Sequence, residues 1–167
     1  MVTLNGYPKN KDKFVRLIDF FKDVLDICKP LGVEPIVDGS LAVFAYSSNH
    51  EIEVNDVDTS IHEDDFPRVI KVLEERRIEY KLKEWHVLQV LKDDLKVELG
   101  SLEFWLKETP TEVETLKING HDVQMLTLGR LKDFYRGAME TRLKGTDPND
   151  KIKYGRLKEK YDVLTQV

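Results

Sequence analysis

Two short runs in this 167-residue sequence carry residue types that could do chemistry. They are Val37-Asp38-Gly39-Ser40 and, after a spacer of 15 residues, Asp56-Val57-Asp58. Alternate side chains of a strand share a face. On a strand, therefore, Asp56 and Asp58 point one way while Val57, Thr59 and Ile61 point the other. Two carboxylates this close repel and raise each other's pKa unless a cation lies between them. Magnesium, a hard ion that takes oxygen ligands and keeps part of its shell for substrate phosphates, is the natural occupant. Asp-x-Asp alone is weak evidence in a chain with 31 acidic residues, where a solvated strand face is the commoner explanation.

The Gly-Ser pair changes that balance. Gly39 sits where a strand turns into a helix, and a glycine there lets the backbone approach a ligand closely. A helix N-terminus offers free N–H groups and positive dipole to a phosphate, and the Ser40 hydroxyl can donate to a phosphate oxygen. A plain helix cap is the bland alternative for this pair in isolation. A third carboxylate follows from parity. In Leu95-Lys96-Val97-Glu98-Leu99 the apolar residues alternate with Lys96 and Glu98, so Glu98 leaves the core face; an exposed strand residue is its plain alternative, and Glu103 the fallback. Three carboxylates converging across a sheet could hold two metals, one for a triphosphate and one to activate an attacking hydroxyl.

The elements that must position these residues are legible from periodicity. Apolar residues at Phe14, Leu17, Ile18, Phe21, Val24, Leu25 and Cys28 predict a helix, with Asn10 as its cap and Lys29-Pro30 as its stop. Val33 to Val37 reads as a buried strand, Leu41 to Tyr46 as a short buried helix, and Ile52 to Ile61 as a strand. A helix follows from Phe66 to Arg77. Trp85 to Leu91 and Leu95 to Phe104 flank Lys92-Asp93-Asp94 as a hairpin, and Thr115 to Ile118 pairs with Asp122 to Leu126 across Asn119-Gly120, a pair favoured in type I′ turns. Thr127 caps a helix to Lys144, Gly145 ends it, and Asp147-Pro148 opens a last helix through Leu164. Helices interleaved with hairpins predict an α+β fold: a mixed twisted sheet flanked by helices. Residues 1–126 form the core, and 127–167 a helical segment packed on the same domain.

The order Gly-Ser, spacer, Asp-hydrophobic-Asp, then hydrophobic-acid-hydrophobic resembles the signature of the DNA polymerase β-like nucleotidyltransferase superfamily. Within it the chain is most similar to minimal members, the small antibiotic and toxin-type nucleotidyltransferases. The resemblance covers Val33 to Leu126, with looser similarity beyond. It implies a magnesium-dependent transfer of a nucleoside monophosphate from a nucleoside triphosphate, with ATP the expected substrate, to a hydroxyl of a small-molecule or protein acceptor, with release of pyrophosphate. It maps the phosphate-contacting pair onto Gly39 and Ser40, the shared metal ligands onto Asp56 and Asp58, and the third carboxylate onto Glu98. The spacer is longer than the family usually shows, which implies a longer loop after the helix. A nucleotide- or partner-binding module that has lost catalysis is the alternative.

Charge supports a phosphate ligand. Residues 126–167 carry 10 Lys/Arg against 6 Asp/Glu, a net of +4, which leaves −9 for the first 125 residues of a chain whose total is −5. An acidic body with a basic end argues against generic duplex-DNA binding, which needs a broad basic face. Among Arg130, Lys132, Arg136, Arg142, Lys144, Lys151, Lys153 and Arg156, the group around the Gly145 turn (Arg142, Lys144 and Lys153) is expected to reach the nucleotide. The four histidines show no ligand spacing and no nucleophile partner, and the single cysteine, Cys28, falls on an apolar stripe as a core thiol. Without an 18-residue apolar run or a charged-then-apolar leader, the expected setting is cytoplasmic, with no membrane partner; an oligomer is possible but not predicted.

Overall fold

The computed structural model describes residues 1–107 and 112–167. A two-residue strand, β1 (Val2–Thr3), precedes helix α1 (Lys11–Cys28), which buries Phe14, Leu17, Ile18, Phe20, Phe21, Val24, Ile27 and Cys28. Leu25 of the expected stripe is only partly buried. Full burial of each of these large side chains contributes about 1.5–3 kcal/mol, so α1 is held by its stripe and not by its ends. Asn10 does not cap it through its side chain. Instead Asn10 Nδ2 donates to the Val54 carbonyl (2.9 Å) while its Oδ1 accepts from the Val54 N–H (3.0 Å), pinning the segment before Asp56 to the start of α1.

After a 3-10 turn at Lys29–Leu31, closed by Gly32 in the left-handed region, the chain enters β2 (Ile36–Asp38) and turns at once into α2 (Gly39–Ser47). Strand β2 starts later than Val33; Pro35, which lacks an N–H, stays outside the ladder. The 48–56 loop follows, with Ile52 and Val54 buried in it, so the strand expected from Ile52 begins only at β3 (Val57–Ile61). Next come a 3-10 turn (Glu63–Asp65), α3 (Phe66–Glu75), β4 (Glu79–Lys83), β5 (Val87–Lys92), β6 (Leu95–Ser101) and the short α4 (Leu102–Trp105). The last elements are β7 (Val113–Ile118), β8 (His121–Leu126), α5 (Leu128–Lys144) and α6 (Pro148–Leu164).

Several expected boundaries move for local reasons. Helix α3 ends before Arg77, which takes φ +55° to start a turn, and His86 at φ +61° delays β5 to Val87. The expected strand to Phe104 stops at Ser101, whose hydroxyl accepts from the Phe104 N–H (3.1 Å) and caps α4. Strand β4 was not anticipated; it is a mostly exposed edge carrying Lys81 and Lys83, the charged kind of edge that resists further pairing. Asn119 and Gly120 both take positive φ (37° and 86°), as a type I′ turn requires. Thr127 and Asp147 cap α5 and α6 as expected, the latter in a full capping box with Asp150.

The eight strands form one sheet in the order β1-β7-β8-β2-β3-β6-β5-β4. The pairs β1/β7, β2/β8 and β3/β6 are parallel and the others antiparallel, so the sheet is mixed and the fold α+β. Register decides the rest. Val57 and Val97 are buried partners of β3 and β6, while the intervening pair Asp58–Glu98 lies on the opposite face.

Candidate active site

One face of the central strands carries a row of polar side chains in register. Asp38 of β2 is the antiparallel partner of Asp58 on β3; Asp58 is the parallel partner of Glu98 on β6; Glu98 pairs with Gln89 on β5. The row is tied at both ends. Ser60 Oγ donates to Asp38 Oδ2 (3.3 Å), and Gln89 Nε2 donates to Glu98 Oε1 (3.2 Å).

The bend before α2 closes on this row. Gly39 has φ +62°, a conformation that side chains disfavour, and a Cβ placed there would lie 2.9 Å from the Cβ of Asp58. Only glycine fits. The first turn of α2 therefore rests on the Asp58 carboxylate, with the buried Ser40 one residue on. A cleft of about 580 Å³ opens there, lined by Ser40, Asp56 and Asp58 on one wall and by Arg156, Glu159 and Lys160 of α6 on the other. That volume is in the range of small-molecule sites. A larger groove of about 770 Å³ lies between the end of α1 and the β7–β8 hairpin, remote from the acid row.

Electrostatics mark the acid row as short of positive charge. Burial raises Asp58 well above the usual carboxylate range, and the charges of Asp38, Glu98 and Asp56 raise it further; only Lys160 draws it back. Burial likewise pushes Asp38 up to about 7, with the Ser60 hydrogen bond opposing and Glu98 adding to the rise. Tyr135 of α5, buried beside the row, is raised by burial and then by Asp58 and Asp38. Asp56, just before β3 and half-exposed, faces the cleft, and Lys96 Nζ sits 3.7 Å from its Oδ2 and 3.5 Å from Glu98 Oε1.

A divalent cation suits this donor set. Asp56 and Asp58 offer carboxylate oxygens to a site crowded with negative charge, and magnesium keeps the remainder of its shell for water and phosphate. Among the described residues no group of three or more His, Cys, Asp or Glu side chains is arranged to hold a metal ion. Glu98 is engaged by Lys96 and Gln89.

The structure brings Gly39, Ser40, Asp58 and Glu98 onto adjoining elements, with Asp56 at the cleft edge. It does not bring Glu103 there. That residue accepts from the Glu63 N–H (2.8 Å) and lies 3.2 Å from His62 Nδ1, past the end of β6. Arg142, Lys144 and Lys153, the expected nucleotide contacts, are not among the residues that line the cleft. Arg142 Nη1 is bound to Asp150 Oδ1 (3.0 Å) across the α5–α6 turn, and Lys144 and Lys153 are exposed. Cations of the cleft are Lys9, Arg156 and Lys160. Arg156, Lys160 and Val163 recur at spacings of four and three on α6, so they share a face; that spacing was the available signal for Lys160, whereas Lys9 had none. Asp38, read as part of the turn, is a further member of the row.

No family model and no curated protein matches this chain. Solved structures do. The solution structure of the antibiotic-resistance factor ANT(2″)-Ia superposes with a TM-score of 0.59 at 14% identity, covering 90% of this chain and 89% of that one. An antigenic nucleotidyltransferase-like protein from Paracoccidioides brasiliensis gives 0.59 at 12% identity over 95% and 78%. The lincosamide antibiotic adenylyltransferase LnuA, lincomycin-bound, gives 0.51 at 12% identity over 92% and 98%. The chain has the nucleotidyltransferase-like fold.

Proposed function

We propose that this chain is a magnesium-dependent nucleotidyltransferase that moves a nucleoside monophosphate from a nucleoside triphosphate onto a hydroxyl of a small-molecule or protein acceptor and releases pyrophosphate. One observation carries this reading: the glycine that opens α2 packs directly on the Asp58 carboxylate, at a cleft whose far wall carries Arg156 and Lys160. The β- and γ-phosphates would lie against the first N–H groups of α2 and the Ser40 hydroxyl, their charge offset by Arg156 and Lys160. Asp56 and Asp58 would hold magnesium, which when bound supplies positive charge to the phosphate oxygens.

Glu98 is the base in this reading. It takes the proton of the acceptor hydroxyl; the acceptor oxygen bonds to the α-phosphorus while the bond from that phosphorus to its bridging oxygen breaks, and pyrophosphate leaves with the electron pair. The site works by positioning and charge stabilisation. ATP as donor is supported by the adenylyltransferase likeness, and a small-molecule acceptor by a neighbour solved with lincomycin. No described helix is long and apolar enough to cross a membrane.

The test is release of pyrophosphate and transfer of α-phosphate label from each nucleoside triphosphate to a panel of hydroxyl acceptors. Asp56→Asn and Asp58→Asn are expected to abolish transfer with the circular dichroism spectrum unchanged. Near wild-type transfer by either variant overturns the mechanism. Nucleotide binding without turnover on any acceptor would favour the alternative, a binding module with the same fold.

A further inference from the structure

Lys96 occupies a place that composition alone would not assign to a cation. It shares the polar face of β6 with Glu98, two residues on, and its ammonium lies between Glu98 Oε1 (3.5 Å) and Asp56 Oδ2 (3.7 Å). All three side chains are partly withdrawn from water; Lys96 is 33% exposed, Asp56 38% and Glu98 23%. The pairing is therefore less screened than on an open surface. Gln89, itself buried, fixes Glu98 from the other side. A divalent ion bridging Asp56 and Glu98 would have to displace this ammonium.

We propose that Lys96 is a tethered cation that takes the place of a second divalent ion, so that the site exchanges a single metal ion and keeps its other positive charge covalently. Lys96 is a positioning residue: it aims Glu98 and holds Asp56 across the gap between β3 and β6. This inference rests on the proposed nucleotidyltransferase reading and deepens it.

Counting bound Mn²⁺ tests it. Free Mn²⁺ is measured by electron paramagnetic resonance during titration of the folded chain, alone and with the non-transferable analogue α,β-methylene-ATP. Wild type is expected to bind one Mn²⁺ per chain in the presence of the analogue. Lys96→Met is expected to bind two, the second within about tenfold of the first in affinity, a gap of roughly 1.4 kcal/mol. Lys96→Arg keeps the charge and should stay at one. Two ions of similar affinity in wild type, or one in Lys96→Met, overturn the proposal while leaving the nucleotidyltransferase reading intact. No analogue-dependent Mn²⁺ in wild type, with Asp58→Asn indistinguishable from it, removes that reading and this inference together. Should Lys96→Met fail to fold, Lys96→Gln supplies the same count.

Discussion

Gly39 and Asp58 cannot both carry side-chain bulk at their point of contact: the strand carboxylate takes up the space where any β-carbon on residue 39 would go. The bend that presents the N–H groups of α2 and the strand that presents the carboxylate are one packed unit. Gly39→Ala combines a left-handed backbone penalty of about 1–2 kcal/mol with overpacking of about 1–3 kcal/mol. Urea denaturation should show a loss of roughly 2–5 kcal/mol, and calorimetry should show no binding of magnesium-ATP.

The acid row makes the metal-free protein sensitive to alkali. Asp38, pushed up to about 7, and Asp58, raised by burial and its acidic neighbours, bind protons more tightly folded than unfolded. Stability therefore falls as pH rises from the unfolded carboxylate range, near 4, through the folded values, at up to about 1.4 kcal/mol per pH unit for each group. Melting temperatures of the metal-free chain should drop between pH 5 and pH 8, and saturating magnesium-ATP should flatten that slope. A stability that climbs over the same window would contradict the buried row.

Cleft cations and turn cations should behave differently. Lys160→Ala and Arg156→Ala remove the cleft charges proposed to meet the nucleotide phosphates, each worth about 1.5–3 kcal/mol as charge-assisted hydrogen bonds. Each is expected to raise the KM for ATP on the order of tenfold or more, with an effect that shrinks in high salt. Lys144→Ala and Lys153→Ala, away from the cleft, should leave that KM within twofold, about 0.4 kcal/mol.

The C-terminal hairpin is set by its cap. Asp147 accepts from the Asn149 N–H (2.8 Å), and Asp150 accepts from the Asp147 N–H (3.0 Å) while holding Arg142. Asp147→Ala should cost about 1 kcal/mol. Because α6 forms the far wall of the cleft, it should also weaken nucleotide binding, read by titration calorimetry beside the denaturation midpoint.

Cys28 is inert when folded. Burial pushes its thiol up to about 12, with Asp65 adding to the rise, so almost no thiolate exists at neutral pH. Ellman's reagent should label the native chain only at the rate of global unfolding, and Cys28→Ser should leave transfer activity unchanged.

Much of this architecture was written in local pattern. The α1 stripe, the Asn119-Gly120 turn, the Thr127 and Asp147 caps, and the Gly-Ser and Asp-x-Asp runs all rest on neighbours a few residues apart, where steric preference and helix or strand period act directly. Register across the sheet is different. That Asp38, Asp58 and Glu98 fall in one line depends on which strands pair, and those pairs join residues 20 and 40 positions apart through the burial of Val57, Val97 and Leu99 on the other face. Folding likewise directed α6, and not the α5–α6 turn, to the cleft, because Asp150 satisfies Arg142 and the Asp147 N–H within the turn while Leu164 is buried. Chemistry-bearing residue types were legible one by one; their convergence came from long-range burial, which no window along the chain contains.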